Sequence, residues 1–131
     1  LESDEYKYVD LGIYAAKDLA QLGRKTGSVP IPFHLMNCGS EIPISIKFEG
    51  EADPNDLELL KIKAGRNSAT NVAIEMLDEN KKRLPLGAKS YHVSDIDGEI
   101  HTLFYAHYIV TKERSTPGKA NATAQFSIEY E

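Results

Sequence analysis

The chain has 131 residues, a hydrophobic fraction of 41% and a formal net charge of −5. That length suits one domain with a two-layer core, and the acidic balance argues against nucleic acid as a partner, since nothing would neutralise its phosphates. No apolar run reaches the roughly 20 residues that span a bilayer, so no membrane insertion is expected.

The chain begins in a polar run, Glu2 to Lys7, without an initiator Met, and reads as a processed or excised piece. Val9 and Leu11 then alternate around Asp10 as a short strand closed by Gly12. Tyr14 to Leu22 reads as a short helix or an irregular loop. From Val29 the alternation returns, with Ile31, Phe33 and Leu35 on one side and Pro32, His34 and Met36 on the other. Gly39-Ser40-Glu41 is turn chemistry. The next strand is the clearest: Ile42, Ile44, Ile46 and Phe48 alternate with Pro43, Ser45, Lys47 and Glu49, with proline near the start, where strands tolerate it.

Gly50 to Asp56 reads as a loop, and Leu57 to Ile62 as a less regular strand or turn. Val72, Ile74 and Met76 alternate with Ala73, Glu75 and Leu77. Lys81, Lys82 and Arg83, the single basic triplet, read as a solvated turn. A short strand at Leu84 to Leu86 and another around Tyr91 and Val93 follow, then a turn at Asp95 to Gly98. His101 to Thr111 is apolar on both faces, the mark of an interior strand.

The last stretch organises the rest. Ala120, Ala122, Ala124, Phe126, Ile128 and Tyr130 are apolar, and the residues between them are polar. That period of two describes a strand with one face on a core. About seven short strands separated by turns, with little helix, point to an all-β, antiparallel, immunoglobulin-like sandwich.

No reaction centre emerges. His101 and His107 share a face but lie about 20 Å apart along a strand, and His34 and His92 fall in other elements. No compact metal-ligand spacing, phosphate loop or nucleophile motif is present. The expectation is therefore no enzyme, no cofactor and no metal. Cys38, the single cysteine, has no partner within the chain.

The segment from Thr116 to Glu131, with its penultimate tyrosine, resembles the C-terminal strand of type 1 fimbrial subunits, the pilins of the bacterial chaperone–usher pathway. Val9-Asp10-Leu11-Gly12, the block from Pro32 to Cys38, the block from Phe48 to Asp53, Val72 to Asp78 and Leu103 to Tyr108 are similar to further family blocks, in family order. The likeness is strongest to minor, adaptor-type subunits. It implies a single pilin domain over residues 1–131, an incomplete sandwich lacking its seventh strand. It also implies that the family's first cysteine, the disulfide partner of Cys38, and its N-terminal donor-strand extension lie ahead of Leu1.

On that resemblance, the partners are a periplasmic pilus chaperone, the outer-membrane usher and neighbouring pilus subunits through their extensions. The location is the periplasm during assembly, then the extracellular fimbrium. The implied groove has Ala120, Ala122, Ala124, Phe126, Ile128 and Tyr130 as its last-strand wall and Val9 and Leu11 opposite, open between first and last strands. The small alanines would leave room for bulky donor side chains. Two other readings are a pilin or receptor-binding domain of a tip adhesin, which the absence of Trp weakens, and an enzyme on a sandwich fold, which rests only on scattered histidines.

Overall fold

The computed structural model describes the backbone of residues 4–14, 27–63, 70–112 and 118–131, and the side chains of 27–63, 70–112 and 124–131. Tyr14 ends a strand, and the rest of the expected helix or loop up to Leu22 lies outside the described residues. Nine strands run in the order β1 (Asp4–Tyr14), β2 (Val29–Leu35), β3 (Pro43–Glu49), β4 (Ala52–Asp53), β5 (Asp56–Lys61), β6 (Val72–Leu77), β7 (Ser90–Val93), β8 (Ile100–Val110) and β9 (Gly118–Tyr130). They form a four-stranded sheet of order β1-β9-β3-β7 and a five-stranded sheet of order β2-β8-β6-β5-β4. All pairings are antiparallel.

Alternation decides which residues meet between the sheets. From β3 come Ile44, Ile46 and Phe48, and from β9 Ala124, Phe126 and Ile128. Facing them are Phe33 and Leu35 of β2, Ile74 and Met76 of β6, and Phe104, Ala106, Tyr108 and Val110 of β8. Burial of a side chain of this size contributes about 1.5–3 kcal/mol, so this shared core is the main force holding the sheets together. As expected for a strand apolar on both faces, β8 lies between β2 and β6. Its outward-facing Ile109 joins Leu59 and Ala73 in a second, smaller cluster.

Four local readings change. The strand read as short and closed by Gly12 runs instead from Asp4 to Tyr14. Leu84 to Leu86 is no strand: one isolated bridge, Leu77 to Arg83, is made there. Gly50 to Asp56 contains the two-residue β4, paired to β5 with an irregular register. Arg83 is not simply solvated, because its guanidinium donates to Glu75, Asp56 and Glu58.

Glycine is required where two loops meet. Gly39 has φ +82° and Gly98 φ +79°, and a Cβ on Gly98 would lie 3.3 Å from the Gly39 backbone nitrogen. This close approach lets Cys38 N–H donate to Gly98 O at 2.9 Å and Glu41 N–H to Asp95 O at 3.1 Å, fastening the turn before β8 to the loop after β2.

Candidate functional site

The last strand carries the sequence's functional expectation. Phe126 is fully buried, its ring centroid 4.8 Å from Phe33, 5.9 Å from Phe104 and 6.2 Å from Phe48. Ala124 and Ile128 flank it in the same core. On the β3 side the register is Phe48 to Phe126, Ile46 to Ile128 and Ile44 to Tyr130. Tyr130 continues the alternation but is 55% exposed, so it does not share the buried wall with Ala124, Phe126 and Ile128.

The other side of β9 differs from expectation. No open slot separates the first and last strands: β1 pairs directly with β9, Val9 opposite Ala122, Lys7 opposite Ala124 and Glu5 opposite Phe126. The register shifts between Asp10 and Ile13, so Leu11 and Ala120 fall at an irregularity in the pairing rather than at partner positions. The reason is elementary. A core strand left with one bare edge presents unsatisfied N–H and C=O groups, and the nearest extended segment of the chain satisfies them.

A polar latch fixes the end of β9. Glu131 N–H donates to Pro43 O at 3.0 Å, and its carboxylate accepts from Ser45 Oγ at 2.8 Å and from Lys89 Nζ at 3.2 Å. The hydrogen bonds from Ser45 and Lys89 hold the Glu131 carboxyl below the usual glutamate range, and the bonds to Glu131 and Glu129 raise Lys89. Ser45, on the outward-facing parity of β3, is buried for this reason.

Cys38 is 1% exposed, and burial, reinforced by the charge of Asp95, pushes its thiol up and away from reactivity. The histidines separate into two kinds. His107 is buried and hydrogen-bonded to Glu75, which also accepts from Arg83 Nε. Burial opposes the charge on Arg83, but its bonds to Glu75, Glu58 and Asp56 outweigh that and raise its pKa. His92, bonded to Ser90 Oγ at 2.7 Å, is pushed down by burial. His34 and His101 are exposed cross-strand partners, and with Glu99 they draw together ligand atoms that the sequence reading left apart. Strand register would have revealed the pair, but linear spacing does not carry it.

Two antiparallel sheets around one aromatic core, with the C-terminal strand central to one of them, define an immunoglobulin-like domain of the kind from which pili are built. The chain belongs to the fimbrial protein family: a family model described as "Fimbrial protein" matches residues 1–131. It is 36% identical over 129 residues to the fimbrial subunit type 1 of Salmonella typhimurium, covering 94% of this chain and 70% of that protein. To the fimbrial-like protein FimF of the same species the identity is 38% over 130 residues, covering 97% and 73%.

Among solved structures, the chain is similar to a type I fimbria protein of Burkholderia pseudomallei, with a TM-score of 0.81 and 24% identity over 98% of this chain and 99% of the other. The P pilus rod subunit PapA superposes with a TM-score of 0.66 at 16% identity, over 97% and 92%. These likenesses carry the fold alone, and the fold is the one expected. The named relatives are a fimbrial subunit and a fimbrial-like protein, and membership of that family makes this chain a fimbrial subunit and not an enzyme. Fimbrial subunits of the chaperone–usher pathway pass through the periplasm and are displayed on the bacterial surface.

Proposed function

We propose that this fimbrial subunit is assembled by exchange of the strand beside β9. A periplasmic chaperone first supplies a strand at that edge. The usher then passes the subunit to its neighbour, whose N-terminal extension replaces the chaperone strand. In this reading β1 holds the edge only until a better complement arrives.

The observation that carries the proposal is the β1–β9 register. Glu5 stands opposite Phe126 and Lys7 opposite Ala124, and both β9 residues are 0% exposed at the core. Glu and Lys at those register positions are residue types that bring no large apolar group to the strand pair. A donor strand with large apolar residues at those positions would contribute about 1.5–3 kcal/mol at each, while restoring the same backbone hydrogen bonds. The buried, unreactive Cys38 thiol fits one half of the family's structural disulfide.

Thermal unfolding of the chain with and without an alternating apolar donor peptide, or the cognate chaperone, tests this. A large rise in Tm with slow dissociation is the expected result. An unchanged Tm at saturating donor would mean that β1 is the permanent complement.

A further inference from the structure

We propose that His34, Glu99 and His101 form a binding site for one divalent transition-metal ion of the Zn2+ or Cu2+ class. Nothing in the strand-exchange reading requires such a site. It lies on the outward face of the five-stranded sheet, whereas β1 and β9 belong to the other sheet.

The site is built by register. His34 of β2 pairs with His101 of β8, and their rings stack with centroids 4.0 Å apart at an interplanar angle of 19°. Their neighbours Phe33, Leu35, Ile100 and Thr102 point inward and are buried, so alternation turns both imidazoles to solvent on one face. Glu99, two residues before His101, lies on the same side. Its Oε1 is 2.6 Å from His34 Nε2 and 3.9 Å from His101 Nε2, and the three ligand atoms lie within 4.8 Å of one another.

A tetrahedral ion with bonds of about 2.0–2.2 Å spaces its ligand atoms roughly 3.4 Å apart. The two Glu99 spacings bracket that value, so its hydrogen bond to His34 opens and its gap to His101 closes by less than an ångström each, while the two histidine nitrogens, within 4.8 Å of one another, approach by up to about 1.4 Å. The two rings must also splay from their stacked arrangement until the Nε2 lone pairs converge. Side-chain exposures of 45% for His34 and 65% for His101 leave room for that rotation.

The backbone that carries the carboxylate is held in place. Glu99 N–H donates to Asp95 Oδ1 at 2.9 Å, Asp95 N–H donates to Glu99 O at 2.9 Å, and the turn is fastened to the loop after β2 through Cys38 and Glu41. Fixing one ligand in this way lowers the cost of assembling the set. Two imidazole nitrogens and one carboxylate oxygen suit Zn2+, Cu2+ or Ni2+, with water completing the shell. They do not suit Ca2+ or Mg2+, which take oxygen ligands. Two imidazole nitrogens supply lone pairs and the carboxylate supplies an anionic oxygen, a donor set that favours a cation. Because the ligands come from β2, β8 and the turn before β8, a bound ion would clip the edge strand β2 to its sheet.

The test is calorimetric titration of the full chain with Zn2+, the cysteine kept reduced, beside His34→Ala, His101→Ala, the double variant and Glu99→Gln. All three positions are solvent-accessible, and circular dichroism checks that the sheets persist in each variant. We expect one Zn2+ per wild-type chain. Each single change should weaken binding by about 10-fold or more, at least what loss of a supporting group costs, and the double variant should abolish it. Zn2+ should raise the Tm of the wild type and leave that of the double variant unchanged. A wild-type dissociation constant weaker than about 1 mM would overturn the proposal. So would equal affinity in the double variant, which would assign binding to the remaining histidines or the thiol.

Discussion

Replacing Phe126 by Ala removes the ring around which both sheets close. Phe126 is 0% exposed and meets the rings of Phe33, Phe48 and Phe104 at centroid distances of 4.8, 6.2 and 5.9 Å. A buried Phe→Ala change costs about 3–5 kcal/mol through lost transfer energy and the cavity left behind. Three ring partners place this site in the upper part of that range, since each aromatic pair adds about 0.5–1.5 kcal/mol beyond its area. The chain's 131 residues imply an unfolding entropy near 0.28 kcal/mol per kelvin at the midpoint. A 4 kcal/mol loss then lowers Tm by about 15 °C. Scanning calorimetry reads this directly, with Tyr130→Ala as the exposed comparison on the same strand, expected within about 2 °C of wild type because surface changes stay within roughly ±0.5 kcal/mol. A fall of under about 5 °C for Phe126→Ala, equal to less than 1.5 kcal/mol, would refute the claim that this ring is central to the core.

Three further outcomes follow from particular contacts. Gly98→Ala places a Cβ 3.3 Å from the Gly39 backbone nitrogen at φ +79°. It should cost about 1–3 kcal/mol by denaturant titration, because neither the backbone neighbour nor the left-handed conformation can yield cheaply. Arg83→Ala leaves Glu75, 2% exposed, with one charge partner fewer, and a loss of about 2 kcal/mol or more is expected in the same assay. Glu131 has a folded pKa below its unfolded one, so its contribution is present at neutral pH and is lost as pH falls below the ordinary glutamate value of about 4.3 through the lower folded value. The Tm of Glu131→Gln should therefore lie below wild type at neutral pH and approach it in acid, and parallel Tm curves would remove the latch from the account.

How far the sequence was legible depended on whether its information was local. The alternation in Ile44, Ile46 and Phe48, and in Ala124, Phe126 and Ile128, named the core of one sheet because a period of two is a property of a single strand. Where a strand is covered on both faces, alternation misleads: Glu75 reads as a solvent position, yet every residue of β6 is buried, and its charge is answered by Arg83 and His107 from elsewhere. Ser45 likewise reads as outward and is buried under the Glu131 latch. Partner choice is the information that periodicity lacks. It hid both the direct β1–β9 pairing, where an open slot was expected, and the meeting of His34 with His101, sixty-seven positions along the chain. The family blocks supplied the fold and the class of function, and residue pairing supplied the register on which the proposed mechanism turns.

The central claim is that a donor strand takes the place of β1 beside β9. The most direct test is to lock that place by changing Val9→Cys and Ala122→Cys, residues that are cross-strand partners in the register. Capture by the chaperone, or by an apolar donor peptide, is then compared in the oxidised and reduced forms of the double variant. The account predicts that the oxidised form takes no donor strand and that reduction restores capture. Equal capture by the oxidised form would contradict it, because the donor would then be binding somewhere other than the edge that β1 occupies.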